Sequence, residues 1–183
     1  MRSNKHVIAL CWVVFCTLVS CTQQTLDFDQ FDDLKAEPVL EASIIYIEVP
    51  ERIINLATET NFFTEDFNFD AFSADLFAER VIEGTVTYVI ENTTTKTLNI
   101  TVEFLDESGA VLDTENFSTN PPPSPALEFE RAEGGTGRSI DIIKNLSSIR
   151  VSAENLGGTA TTSVFPDPKV TLKSKGKFKL SVL

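Results

Sequence analysis

The side chains that do most protein chemistry are scarce in this chain and crowded at one end. There is one histidine, His6, and there are three cysteines, Cys11, Cys16 and Cys21, with none of either after residue 21. Met1 and Trp12, each the sole residue of its type, fall in the same stretch. Without an imidazole in the body of the chain, no Ser-His-Asp or Cys-His arrangement for nucleophilic catalysis can be assembled. Without an imidazole or a free thiolate, the usual zinc and copper sites, haem ligation and thiol redox chemistry go the same way. What remains is chemistry by carboxylates, hydroxyls and lysines. Paired acids can hydrolyse glycosides, but 27 Asp+Glu in 183 residues supply any spacing by chance. The expectation is a protein that is not an enzyme and that uses no cofactor and no metal.

Two local patterns come near to known ligand sites and miss. Asp66-Asn68-Asp70 has the opening spacing of a calcium loop, but Ala71 stands where the sharp turn needs Gly, and Phe77 where a bidentate Glu should be. Gly134-Gly135-Thr136-Gly137 lacks both the spacing and the Gly-Lys-Ser/Thr ending of a phosphate loop. A net charge of −12 and a pI near 4.5 also disfavour nucleic acid, whose binders need a basic face to replace phosphate counterions.

Two stretches have the composition of recognition surfaces. The first, residues 61–80 (NFFTEDFNFDAFSADLFAER), contains Phe62, Phe63, Phe67, Phe69, Phe72 and Phe77. Phe69, Phe72, Leu76 and Arg80 recur at helical spacing, so residues 70–80 can form a short amphipathic helix. The rings either plug one end of a core or, at positions 62, 63, 67, 69 and 72, form a partner-docking patch, because exposed aromatic clusters mark interfaces. The second stretch closes the chain. Lys169, Lys173, Lys175, Lys177 and Lys179 occupy odd positions, whereas Val170, Leu172, Phe178, Leu180 and Val182 occupy even ones. In one strand this sends five ammonium groups to one face and the apolar groups to the other. Such a strand is either a sheet edge guarded by lysines or a basic stripe for anionic lipid or an acidic partner. The contrast in charge is large: residues 22–83 hold 3 bases and 15 acids, residues 164–183 five bases and one acid.

The start of the chain is an address. Arg2 and Lys5 are its early charges, no acid precedes Asp27, and residues 7–19 are apolar apart from Thr17. Thirteen helical residues span about 20 Å, too short for a hydrocarbon core of about 30 Å. A basic start, a short apolar run and a small-residue end constitute a secretory signal. Leu18-Val19-Ser20-Cys21 resembles the lipobox of bacterial lipoproteins. That resemblance implies a signal peptide over residues 1–20, cleavage before Cys21 and acylation of Cys21, which anchors the protein to membrane lipid. Cys16 fits less well, since Phe15 occupies the position that needs a small side chain. With residues 1–20 removed, Arg2 and Lys5 are lost and 13 bases face 27 acids, a net of −14. Thr22 after the cysteine is not the aspartate that retains some lipoproteins at the inner membrane, so the resemblance favours the outer membrane, on its periplasmic face or at the cell surface.

Behind these segments lie the elements that must position them. Residues 21–37 are acidic and poor in aliphatics, an extended tether of up to roughly 50 Å. From residue 38 to 183 the pattern is mainly β. Residues 43–49 (SIIYIEV) form a strand stopped by Pro50, and residues 85–91 alternate. Leu98, Ile100, Val102 and Phe104 alternate against Asn99, Thr101 and Glu103. Asp106-Glu107-Ser108-Gly109 makes a β-turn into a strand over 110–117, and the three strands read as a meander with one wet face. Pro121-Pro122-Pro123-Ser124-Pro125 crosses between sheets; residues 127–131, 149–153 and 160–165 supply further strands, with one or two helical turns at 139–146.

About eight short strands with frequent turns define an all-β fold, an antiparallel β-sandwich of immunoglobulin-like or fibronectin-like architecture with a short helix or two. The expected role is a non-catalytic, lipid-anchored accessory or binding subunit of an outer-membrane or cell-surface assembly, with an envelope protein as partner and no nucleic acid. The alternative is a surface module binding glycan or another small ligand.

Overall fold

A computed structural model describes residues 37–69 and 75–181, with backbone alone at 75 and 76. Cys21, the signal over residues 1–20, the tether up to residue 36 and Phe72 lie outside the described residues.

Alternation of apolar and polar side chains sets the strands. In chain order they are β1 (Val39–Pro50), β2 (Asn61–Asn68), β3 (Val81–Asn92), β4 (Leu98–Leu105), β5 (Val111–Thr119), β6 (Leu127–Glu133), β7 (Ser148–Asn155) and β8 (Lys169–Leu180). Among the described residues three short helices accompany them: α1 (Glu51–Leu56), α2 (Asp75–Ala78) and α3 (Asp141–Lys144). The strands form two antiparallel four-stranded sheets, β1-β8-β3-β6 and β2-β7-β4-β5. The sandwich expected from the sequence is thus present, and this interleaved order is that of a double-sheet jelly roll within that class.

The core lies between the sheets. β4 turns Leu98, Ile100, Val102 and Phe104 inward, and β8 contributes Val170, Leu172 and Phe178 from the other side. Val86, Tyr88 and Ile90 of β3 are likewise buried. Asp106 ties the β4–β5 hairpin by accepting the backbone N–H groups of Ser108 and Ala110, and Gly109 takes the positive φ (81°) that the turn requires.

Four features differ from the sequence reading. First, β3, β4 and β5 are not a meander. β3 pairs with β8 and β6, while β4 pairs with β5 and β7. The β3–β4 link, held by Asn92 Nδ2 donating to the Lys96 carbonyl at 2.8 Å, changes sheets. Alternation fixes which face a residue occupies, not which strand lies beside it. Second, β8 is no edge strand: it is paired on both sides, and its lysines project from the middle of a sheet. Third, residues 160–165 are not a strand. Backbone groups there bond to side chains of α1 and the β3–β4 link, with the Ser163 N–H on Glu51 at 2.7 Å. Fourth, the first half of the phenylalanine-rich stretch is strand β2, which the helical spacing does not predict; of the helix expected over 70–80, Asp75–Ala78 are helical among the described residues. The proline-rich segment does cross between sheets, from β5 to β6, and contains a cis Pro122–Pro123 bond.

Candidate interaction surface

The five lysines of β8 share the solvent face of the first sheet. Lys173, Lys175 and Lys177 are exposed and Lys169 and Lys179 half-exposed, whereas Val170, Leu172, Ser174, Gly176 and Phe178 point into the core. Because β8 lies between β1 and β3, neighbours flank each lysine. Tyr46, Ser43, Glu41 and Val39 stand opposite Lys173, Lys175, Lys177 and Lys179 on one side. Val89, Thr87, Thr85 and Glu83 stand opposite them on the other. Beyond β3, Glu128 and Glu130 of β6 add further exposed acids.

The stripe is therefore a basic ridge between acidic margins. Lys175 lies 3.7 Å from Glu41, and Lys179 lies 3.6 Å from Glu83 and pairs with Glu37. Lys169 bridges Glu48 and Asp167, each at 3.0 Å. The bond to Asp167, then that to Glu48, holds the Lys169 ammonium above its ordinary pKa, and Lys169 in turn holds the Glu48 carboxyl below its own. Lys173 sits 5.9 Å above the exposed ring of Tyr46, whose hydroxyl donates to Glu48 at 2.9 Å. Lys177 makes no ion pair among the described residues.

The phenylalanines are placed differently. Phe62, Phe63, Phe67 and Phe69 are half-buried and pack against the core. Phe77 meets Phe178 edge-on, with ring centroids 5.5 Å apart, at the end of the sandwich where residue 37 enters it. Between the rings, Asp66 is held by Arg150 through bonds of 2.7 and 2.9 Å.

Sequence reasoning missed a cluster of charges between the two sheets. Arg131 of β6 is 2% exposed. Its guanidinium contacts Glu133, Asp113 (3.0 Å) and Glu115 (3.2 Å), and its Cζ lies 4.3 Å from the centre of the Phe104 ring. Arg138 closes the cluster from outside, 2.7 Å from Asp113 and 2.8 Å from Glu115. Burial pushes the Glu133 carboxyl above its ordinary pKa despite Arg131. Burial likewise pushes up the Tyr88 phenol, whose oxygen makes no hydrogen bond. Carboxylates of this kind can serve as acid and base, but these are occupied by two guanidiniums, and Glu133 is wholly buried. They clasp β5 of one sheet to β6 of the other. A signal for them was present in the register: Arg131 and Glu133 share a face with Leu127 and Phe129, opposite Glu128 and Glu130.

Open depressions on the described surface include three of note. One of about 370 Å³ lies beside Lys177, Lys179 and residues 134–137, and one of about 890 Å³ beside Asp106, Leu112 and Lys144. The third, of about 560 Å³, adjoins α1. No aromatic ring lines any of the three. Among the described residues no group of His, Cys, Asp and Glu is arranged to hold a metal ion, and no helix is long and apolar enough to cross a membrane.

No protein-family model matches the sequence, and no curated protein matches it. Solved structures do. The VP2 subviral particle of infectious bursal disease virus is similar over 79% of this chain at 6% identity, with a TM-score of 0.41. The chain spans about a third (33%) of that VP2 chain. A Bacillus endospore appendage, from a family of disulfide-linked pili, is similar over 81% of this chain and 92% of its own, at 9% identity and a TM-score of 0.37. For Desmodium yellow mottle tymovirus the shares are 81% and 90%, at 9% identity and a TM-score of 0.35. At these identities and scores the likeness concerns the arrangement of strands alone.

Proposed function

We propose that the protein is a non-catalytic, lipid-anchored envelope protein, an accessory or binding subunit of an outer-membrane or cell-surface assembly. The observation that carries this reading is the outer face of the sheet β1-β8-β3-β6. It presents a central lysine ridge with glutamates on both sides, a pattern that complements another protein's mixed charges better than a uniformly anionic surface. The groups best suited to acid–base work, Glu133 and Asp113, are occupied by Arg131 and Arg138. The lipobox resemblance supplies the anchor at Cys21.

Labelling cells with a fatty-acid analogue tests the anchor. The wild type is expected to take up label and sediment with membranes, and Cys21→Ala to lose label and appear in the soluble fraction. Labelling of Cys21→Ala, or a wild type that stays unlabelled and soluble, would overturn the reading.

A further inference from the structure

The end of the sandwich remote from residue 37 is formed by α1 and the loop between β7 and β8. β1 runs from residue 39 to that end over 12 residues, about 40 Å at 3.3 Å each. Five large apolar side chains are exposed there: Ile53 (38%), Leu56 (76%), Leu156 (58%), Val164 (98%) and Phe165 (47%). Leu56, Pro166 and Pro168 line the depression of about 560 Å³, together with Arg52, Asn55 and Asp167, whose carboxylate is paired with Lys169 at 3.0 Å. Two polar groups in its wall lack partners. Asn55 Oδ1 is buried and accepts no hydrogen bond, and the exposed Arg52 makes no ion pair among the described residues.

An exposed loop with such a tip would ordinarily be mobile, yet buried charges pin this one from below. Lys96 is 0% exposed, and its Nζ donates to the Thr161 carbonyl at 2.6 Å and to Thr161 Oγ1 at 3.1 Å. Glu51, 1% exposed, accepts the Ser163 N–H, the Thr95 N–H and the Thr95 hydroxyl, each at 2.7 Å. Asn155 fixes the loop's start by accepting from the Gly157 N–H and donating to the Gly158 carbonyl, both at 2.9 Å. Buried charges are tolerated only when so satisfied, and what these bonds fix is the position of an apolar tip. Order imposed at folding need not be imposed again on binding, which favours association.

We infer that this end docks a protein partner through a segment that presents an apolar side chain beside a carboxylate. The apolar side chain enters the depression beside Leu56, and the carboxylate pairs with the exposed Arg52. Charge selects this occupant over the alternatives. The chain carries −12, so anionic lipid repels it, and the tip has no lysine cluster to offset that. A second copy packed tip to tip would set Arg52 against Arg52 and oppose two like net charges. The site lies apart from the lysine ridge. It names the partner's chemistry for the accessory role and rests on that reading only in placing the partner in the envelope; the binding itself does not require acylation of Cys21.

The test is selection of short random peptides displayed on phage against the full-length protein in detergent. Enriched peptides are expected to pair an apolar residue with a nearby Asp or Glu. They should bind about tenfold more weakly to Leu56→Asp and to Arg52→Glu, with Glu107→Gln, in the exposed β4–β5 turn, unchanged. Both tip positions are exposed, and equal urea midpoints would show the variants folded. Failure to enrich peptides, or binding indifferent to both tip variants, would overturn the inference. So would tip-dependent adsorption to phosphatidylglycerol vesicles, or self-association lost in Val164→Ser. Loss of fatty-acid labelling would instead count against the anchor and leave this result standing.

Discussion

Phe178 on β8 stands opposite Gly84 on β3, and its ring fills the space that a side chain at position 84 would need. A Cβ on Gly84 would lie 2.3 Å from Phe178 Cδ1, and one on Gly176, two residues back along β8, would lie 2.4 Å from Phe178 Cε2. The two glycines thus seat one ring across two strands, and Phe77 closes over it edge-on.

Gly84→Ala and Gly176→Ala should therefore each destabilise the fold by about 1–3 kcal/mol through overpacking. Phe178→Ala should cost about 3–5 kcal/mol. In the Phe178→Ala background the penalty of Gly84→Ala should shrink, since the nearest obstructing atoms are gone. Urea denaturation of the four proteins in the cycle measures this coupling, and strictly additive penalties would count against the packing described.

How far this was legible in the sequence varies with the range of the contact. The alternation of Leu98, Ile100, Val102 and Phe104 is local and marked β4 to within a residue. The even–odd division of residues 169–180 gave β8 its two faces correctly. That β8 lies between β1 and β3 depends on partners about 80 to 140 positions away, and no local pattern encodes it. Arg131 and Glu133 escaped notice because inward-facing charges in a short strand look like solvent-facing ones until the opposite sheet brings Asp113 and Glu115. Phe62, Phe63, Phe67 and Phe69 were conspicuous by type, but only packing reveals that each has one side against the core.

The clasp around Arg131 holds three carboxylates against two guanidiniums, which leaves one negative charge in excess in a largely dry place. Glu133 bears it, with Oε2 unbonded and the carboxyl raised by burial above its ordinary 4.5. The folded protein then keeps a proton that the unfolded chain has lost, so this contribution to stability is present below about pH 4.5 and fades as pH rises through the folded value. Glu133→Gln retains an oxygen for Arg131 and abolishes the titration. The stability advantage of wild type over Glu133→Gln should fall as pH rises above about 4.5, as read from urea midpoints. An advantage that grows with pH would refute the assignment.

Glu51 behaves in the opposite sense. Burial raises its carboxyl, but the bonds from Ser163 and Thr95, with the charge of Lys96, outweigh burial and hold it below 4.5. Its contribution is present above about pH 4.5 and disappears as pH falls through the lower folded value. Glu51→Gln should flatten that acid limb and speed amide exchange at Thr95 and Ser163. Lys96→Met removes both hydrogen bonds to Thr161 and the nearby charge that favours the Glu51 carboxylate, and should cost about 1–3 kcal/mol. Exchange should quicken across residues 157–165 before the strands respond, measured by hydrogen–deuterium exchange. Unaltered protection of that loop would show that the two charges do not hold it.

Charge neutralisation along the lysine ridge is uneven, and that unevenness makes the ridge testable. Lys169 and Lys179 each face two carboxylates, and Lys175 faces Glu41, whereas Lys177 makes no ion pair among the described residues. An attraction already satisfied within the molecule adds little to an encounter, so a docking partner should sense Lys177 most strongly and Lys169 least. Converting Lys173, Lys175 and Lys177 together to Gln should change stability by less than about 1 kcal/mol, since exposed pairs contribute little. The same change should lower the yield of crosslinked complexes in cells and reduce their sensitivity to salt. Of the single variants, Lys177→Gln should account for most of that loss and Lys169→Gln for least, because removing Lys169 also frees Glu48 and Asp167 to repel each other without altering the net charge a partner meets at the centre of the ridge. Equal losses at 177 and 169, or yields indifferent to salt, would mean that the ridge serves the sheet rather than a partner.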